Sequence, residues 1–331
     1  MTSNSEKLID IKENQLLKLD KKLLEILLKD KTTGKNIIWA TDNYLNHGSF
    51  YAPDKEVFIE LITSRNGNII KPRIEKSKVE QQKRVRQKAE VFTPSWICNA
   101  QNNLVDEAWF GKESPFNNED EINKTWQTLT GKIEFSNEKD KTWQDYIKAV
   151  RIEITCGEAP YITSRYDTVT GEYIEVFNRI GLLDRKLRIV NENTNTQEDW
   201  VKWAKIAVQN IYGFDWQGDN VLLARENVLF TLIENYQFKF QQMLPTQELI
   251  EFAKIIAWNI WQMDGLKFVV PNSCCTQTKT EQTLFESIVI STECEGCKKG
   301  SNKKHNGIYC KIKDWRTGKT VRFVDIAGEN K

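Results

Sequence analysis

The sequence predicts an α/β domain built on a mostly parallel sheet, and three observations carry that expectation. Short apolar runs of strand length end in acids or a glycine turn at 151–157, at 211–215 and just before Asp264. Segments with apolar residues at helical spacing lie at 197–210, at 220–236 and at about 246–258. The two kinds of segment alternate, which is the pattern of strand–helix–strand units with parallel pairing.

Along the chain, residues 5–30 set Leu8, Ile11, Leu16, Leu19, Leu23, Leu24, Ile26 and Leu27 among lysines and acids, as in an amphipathic helix ended by Thr32-Thr33-Gly34. Such a face either packs on its own domain or docks a partner. Residues 71–90 are the most basic stretch, with Lys71, Arg73, Lys76, Lys78, Lys83, Arg84, Arg86 and Lys88. They read as a solvated helix face or as a surface for DNA phosphates. Residues 111–145 are polar and read as an insertion or long loop. Trp200, Trp203, Ala204, Ala207 and Val208 share one side of the helix at 197–210, and Ile211-Tyr212-Gly213-Phe214-Asp215 forms the second strand. Asp219 reads as the N-cap of the helix that follows. Residues 311–315, a Gly318 turn and 321–326 read as a hairpin leading into a strand. The expected division is a helical and basic region over 1–90, a core over 91–272, a cysteine-rich insertion over 273–310 and a terminal hairpin and strand over 311–331.

The 331 residues suit one large domain or two modest ones, and a net charge of +1 leaves DNA binding to a local basic patch. No window has the run of apolar residues that a membrane span needs, and the first residues do not form a secretory signal. Five of the seven cysteines lie within 274–310, which fits a reduced, cytoplasmic protein with a local metal site better than a disulfide scaffold. In Cys294-Glu-Gly-Cys297 a tight turn brings two thiolates onto one ion. Cys274 and Cys310 would complete a tetrahedral structural zinc site, and His305 or Cys275 could substitute. The alternative is a set of unligated thiols in a polar loop. The polar run from Lys298 to Lys304 cannot bury a core, which favours a metal staple.

Glu153 with the Cys156-Gly157 turn, Asp215 and Asp264 all fall at or just after strand ends, where α/β sheets bind ligands. A glycine turn lets backbone approach a ligand. An acid ending the second strand can accept from both hydroxyls of a ribose, and a third acid can accept from an adenine amino group. Together they describe a site for an adenosine-containing cofactor, although any α/β domain offers acids at strand ends.

Four segments, in order, carry a resemblance. Val91-Phe92-Thr93-Pro94 resembles the Phe-x-Thr-Pro motif of amino-methyltransferases. Glu153-Ile154-Thr155-Cys156-Gly157-Glu158-Ala159 resembles their acid-x-x-Cys-Gly-x-Gly turn. Ile211 to Asp215 with Asn220 to Arg225 resembles their ribose-binding strand and following helix. Asn259-Ile260-Trp261-Gln262-Met263-Asp264-Gly265-Leu266 resembles their Asn-Ile-x-x-Gly-Asp-x-Leu segment. From about Asn36 onward the chain is similar to the M subunits of restriction–modification systems, N6-adenine DNA methyltransferases of the type I and type IIG kind. The resemblance implies a Rossmann-like, S-adenosylmethionine-dependent core. It implies cofactor contacts from Phe92, Thr93, Pro94, Glu153, Cys156, Gly157, Glu158, Asp215, Trp216 and Asp264.

The departures shape the expectation. Glu158-Ala159-Pro160 stands where the family has x-Gly, and about sixty residues separate the first two strands. The sequence holds no Pro-Pro pair, so it lacks the Asn-Pro-Pro-Tyr motif that accepts the target amine and stacks on the flipped base. It holds no Pro-Cys pair for cytosine-C5 chemistry either. The terminal strand reaches about where Asn-Pro-Pro-Tyr would begin. The expectation is therefore a split enzyme: this chain binds the cofactor, carries no catalytic residue, and acts on DNA with a second methyltransferase or specificity chain that bears the motif. The competing readings are a catalytically inactive methyltransferase-like protein that binds DNA or a partner, and a zinc-dependent nucleic-acid binder on an unrelated α/β core.

Overall fold

The computed structural model describes residues 13–136, 140–282 and 287–327. Its centre is a three-stranded parallel sheet. Before it come α1 (Glu13–Leu19), α2 (Lys21–Leu28), α3 (Ile59–Ile62), α4 (Lys78–Lys88), α5 (Ser95–Phe110), a hairpin of β1 (Asn117–Asp120) and β2 (Thr125–Thr128), and α6 (Trp143–Lys148). The sheet takes β3 (Arg151–Ile154), β4 (Ile211–Asp215) and β5 (Ile260–Gln262), in that spatial order. Arg151 is level with Ile211, and Gly213 with Ile260. Between β3 and β4 run α7 (Leu182–Asn193) and α8 (Gln197–Gln209); between β4 and β5 run α9 (Gly218–Phe240) and α10 (Thr246–Asn259). After the sheet come the antiparallel pair β6 (Gln277–Gln282) and β7 (Ser287–Thr292), α11 (Glu295–Lys299), the hairpin β8 (Lys311–Lys313) and β9 (Thr320–Arg322), and α12 (Phe323–Ala327).

Local chemistry sets several boundaries. Asp20 breaks the expected N-terminal helix in two, because its carboxylate accepts from Lys22 N (2.8 Å) and so caps α2. The part of that expectation before Glu13 lies outside the described residues. Thr196 caps α8 by accepting from Asp199 N (3.1 Å), and Glu198 and Asp199 favour the positive end of the helix dipole. The expected terminal strand over 321–326 is corrected: it stops at Arg322, and Phe323–Ala327 is helical. The polar stretch at 111–145 holds the β1–β2 hairpin and the start of α6, whose Thr142–Asp145 capping box opens it.

One hydrophobic core joins the N-terminal region to the sheet, running from Leu16, Leu24 and Trp39 through Leu222 and Ile256 to Ile260. The apolar face of α2 is consumed there, with Leu23, Leu24, Leu27 and Leu28 buried. A second core groups Phe214, Trp261, Met263, Val270 and Cys310 beneath Phe323.

Arg225 on α9 binds the two parts together. Fully buried, it donates to Ile260 O (2.8 Å), Leu27 O (2.5 Å), Lys29 O (3.0 Å) and Ala257 O (3.3 Å). These are carbonyls at the ends of α2 and α10 and at the start of β5. Arg225→Met would keep the side-chain bulk and leave those acceptors buried without a donor, at about 1–3 kcal/mol each. The melting temperature should fall by roughly 10 °C, which calorimetry checks.

The basic stretch also turns partly inward. Lys76 and Arg84 are buried around Asp219, with Arg84 Nη2 at 2.8 Å and Lys76 Nζ at 3.6 Å from its carboxylate. Tyr44 Oη donates to the same carboxylate (2.7 Å), and Arg84 Nη1 also reaches Glu90 (3.0 Å). Despite burial, the Arg84 and Lys76 charges hold the Asp219 carboxyl well below the usual carboxylate range. Asp219 is therefore an ion-pair centre inside the first turn of α9 rather than its N-cap, which is Gln217.

Candidate functional site

The carboxyl ends of β3 and β4 open into a cleft of about 710 Å3, in the size range of small-molecule sites. It is lined by Glu153 of β3 with Cys156 and Gly157 of the turn that follows, and by Asp215 at the end of β4 with Trp216, Gln217 and Asn220. Phe92 and Thr93 form one wall; Ala40, Thr41, Lys88 and Glu90 form another. The basic segment and the N-terminal region thus meet over the sheet.

The turn after β3 is bent by its backbone. Thr155, Gly157 and Ala159 have φ of 50°, 53° and 64°. For the β-branched Thr155 that conformation is strained, and such strain persists only where the surroundings hold it. Here they do: Cys156 N donates to Phe214 O (2.8 Å) and Gly157 N to Asp215 Oδ2 (3.0 Å). The Glu153 carboxylate accepts from Tyr161 N (3.4 Å) and Ile162 N (3.1 Å), closing the loop. Burial raises the Glu153 pKa well above the carboxylate range, opposed by those two N–H groups. Asp215 also accepts from Gln217 N (2.8 Å). Burial pushes its pKa up to about 6, against the N–H groups of Gln217 and Gly157, which favour the charge. A carboxylate poised in this way at a strand end can exchange its N–H partners for the hydroxyls of a ligand.

Of the residues named from sequence, the structure gathers Phe92, Thr93, Glu153, Cys156, Gly157, Asp215 and Trp216 around this cleft. Three others do not line it. Glu158 is buried beneath the turn, where it accepts from Arg73 N (2.5 Å) and Tyr166 Oη (2.8 Å) and ties the basic segment to the loop. Asp264 closes its own turn, accepting from Leu266 N (3.0 Å) and Lys267 N (3.1 Å). Pro94 stands at the N-cap of α5 and faces a neighbouring hollow with Trp96, Trp126 and Tyr173. Sequence reasoning missed Ala40, Thr41, Glu90, Gln217 and Asn220. The nearness of Glu90 to Phe92 was an available signal, whereas nothing local places Ala40 beside Trp216.

The second constellation is a cysteine–histidine cluster. The ligand atoms of Cys274, Cys294, Cys297 and His305 lie within 4.8 Å of one another. His305 Nδ1 is 3.6 Å from Cys274 Sγ, 3.5 Å from Cys294 Sγ and 3.7 Å from Cys297 Sγ. A tetrahedral zinc ion with ordinary Zn–S and Zn–N bonds sets the S···N edge at about 3.6 Å, which the three N···S distances match. Asn306 N donates to Cys294 Sγ (3.3 Å), which favours a thiolate there. Gly296 makes the knuckle possible: a methyl at its Cα would sit 2.6 Å from His305 Nδ1 and 2.7 Å from His305 N.

The structure corrects the fourth ligand expected from sequence. Cys310 belongs to the second core, its thiol facing Gln262 O at 3.4 Å, and His305 takes the corner. Cys275 is exposed, held by its backbone to Asn306 and outside the cluster. The cluster can hold a metal ion, and four protein donors leave no open position for catalysis.

No helix among the described residues is long and apolar enough to cross a membrane. Searches against family models, curated proteins and solved structures find no match to the chain.

Proposed function

We propose that the cleft binds S-adenosylmethionine and that the chain is the cofactor-binding component of an adenine-N6 DNA methyltransferase, completed by a second chain. The observation that carries the reading is the convergence of Phe92, Thr93, the Gly157 turn and Asp215 on one cavity at the carboxyl ends of parallel strands. Those segments lie up to 123 positions apart in the sequence, and the resemblance predicted each of them separately. In this reading the Asp215 carboxylate takes the ribose hydroxyls, the Gly157 turn lets backbone approach the methionine end, and Phe92 with Thr93 lines it. The three strands then form part of a Rossmann-like sheet, and the protein works in the cytoplasm.

The exposed side of the sheet supports a second chain. Among the described residues β3 pairs with β4 alone. Val150, Ile152 and Ile154, alternate residues of one face, are 52%, 43% and 67% exposed. Parallel sheets are normally covered on both faces and an edge strand offers unpaired backbone groups, so both this face and this edge are open to a partner. A strand added beside β3 in parallel would end at the cleft and could bring an Asn-Pro-Pro-Tyr loop to the reacting methyl group. The chain should therefore co-purify with the product of an adjacent reading frame that carries the motif. The pair should methylate adenine in DNA, neither chain should do so alone, and Ile152→Lys should abolish association. Failure of the intact pair to associate would overturn the split-enzyme reading. Cofactor binding without partner-restored activity would instead favour a methyltransferase-like protein that binds DNA or a partner and has no catalysis.

Structural zinc at Cys274, Cys294, Cys297 and His305 completes the proposal. Its donor set of three thiolates and one imidazole suits zinc.

A further inference from the structure

The metal cluster and the cleft meet at one backbone oxygen. Ala40 lines the cleft with φ of 62°, a left-handed conformation that an alanine holds only under restraint. Its N–H donates to Pro53 O (2.9 Å), and its carbonyl accepts from two side chains. One is the indole of Trp216, also in the cleft, with Nε1 at 3.2 Å; the other is the amide of Asn272, with Nδ2 at 3.3 Å. Asn272 precedes the ligand Cys274 by two residues.

The segment carrying Asn272 lies in no helix or strand and is held by the loop residues that follow the cluster. Val270 N donates to Ile308 O (2.8 Å), and Ile308 N to Ser273 Oγ (3.0 Å). Asn306, next to His305, clamps Cys275 through its N–H (3.2 Å) and its carbonyl (2.7 Å). Contact is close enough that a methyl on Gly307 would lie 2.6 Å from Ser273 Oγ and 3.0 Å from Cys274 Sγ. A metal bound to Cys274 on one side and His305 on the other closes this clamp.

We infer that the metal at the Cys274/Cys294/Cys297/His305 centre sets one wall of the cleft, with Asn272 as the positioning residue that carries its effect to Ala40 and Trp216. Asn272 does not touch the cofactor. It holds the Ala40 carbonyl where the Trp216 indole also binds it, so the wall is ordered before the ligand arrives. The part concerning cofactor affinity rests on the proposed binding of S-adenosylmethionine; the ordering of the wall does not.

The test compares zinc-loaded chain, metal-stripped chain, and zinc-loaded Asn272→Gly and Asn272→Asp. Both substitutions tolerate the φ of 59° at this position and remove the donor. Metal content, melting temperature, hydrogen exchange of segments 37–41 and 215–217, and affinity for S-adenosylmethionine are measured on each. The variants are expected to keep zinc and the parent melting temperature, to exchange faster in both segments, and to bind S-adenosylmethionine roughly fivefold more weakly, as the loss of one hydrogen bond implies. Stripping the metal should give the same changes, and stripping Asn272→Gly should add nothing further in the two segments. Unchanged exchange in the variants, or in the stripped chain, overturns the inference. If the zinc-loaded parent does not bind S-adenosylmethionine at all, the cofactor reading falls, and the exchange data alone decide whether the metal orders the wall.

Discussion

Replacing Asp215 by alanine is expected to weaken S-adenosylmethionine binding more than about a hundredfold. The ionised carboxylate would accept from two ribose hydroxyls, and hydrogen bonds to a charged group contribute about 1.5–3 kcal/mol each. Two of them exceed the roughly 2.8 kcal/mol that a hundredfold change requires. The size of the effect follows from where Asp215 sits, because it is buried at the end of β4 and bulk water cannot replace the lost partner. Its pKa of about 6 adds a pH signature. In the proposed complex the charged form would accept both hydroxyls, so below pH 6 binding would first expel a proton, and the dissociation constant should rise toward tenfold per pH unit. Above pH 6 it should be flat. Asp215→Asn, which keeps the shape and cannot ionise, should bind weakly at every pH and show no inflection. Calorimetric titrations between pH 5 and pH 8 check both points. Undiminished binding by Asp215→Ala would remove Asp215 from the proposed ribose contact.

The second large effect concerns the metal centre. The purified chain should contain one zinc ion, and His305→Ala or Cys297→Ala should lose it. Cobalt(II) in its place should show the intense visible bands of a tetrahedral thiolate site. Structural zinc sites add folding free energy outright, on the order of 10 kcal/mol in small isolated domains. Here the core that joins the N-terminal region to the sheet contains none of the four ligands, so chelation should loosen the cluster and the segments bonded to it, the cleft wall included, and leave α9 and α10 folded. Hydrogen exchange should therefore quicken across 272–276 and 294–309 and stay slow in α9 and α10. Gly296→Ala should reproduce the chelated state, since its methyl would occupy the place of His305. Cys310→Ala should keep the zinc and lower stability instead, because that thiol fills the second core.

Much of the architecture was legible locally. The helices at Gln197–Gln209 and Thr246–Asn259 show their apolar periodicity, and the strand at Ile211–Asp215 its apolar run and terminal acid, in the residues themselves. The Cys-x-x-Cys knuckle announces itself through spacing, and Gly296 through the turn it must make. Other elements were hidden by mixed composition. The helix α5 buries Asn99, Asn102, Asn103 and Asp106, so a polarity pattern points its buried face toward water. Arg185 on α7 is the reason for three of them: its guanidinium takes Asp106 (2.7 Å), Asn99 (2.9 Å) and Asn103 (2.7 Å) at once, while Asn102 donates to the carbonyls of Tyr161 and Ile180. Such a network forms only when its partners meet, and that requires two helices that the sequence holds about eighty residues apart.

The sequence by itself determined which residues had the chemistry for each site: the acid and glycine at the strand ends, the aromatic and threonine of 92–93, and the thiols of 274–297. Tertiary structure alone decided which of them meet. Asp264 and Glu158 had suitable chemistry, but local N–H groups and Tyr166 claim their carboxylates. Cys310 carries the right atom for a metal, but that atom packs into the second core, while a histidine on the loop before it comes within 3.7 Å of three sulfurs. Ala40 has no functional chemistry of its own, yet it lines the cleft, with its carbonyl accepting from Trp216 and Asn272. Side-chain chemistry is local and can be read along a chain. Direction and proximity come from packing between distant segments, and they exist only once the chain has folded.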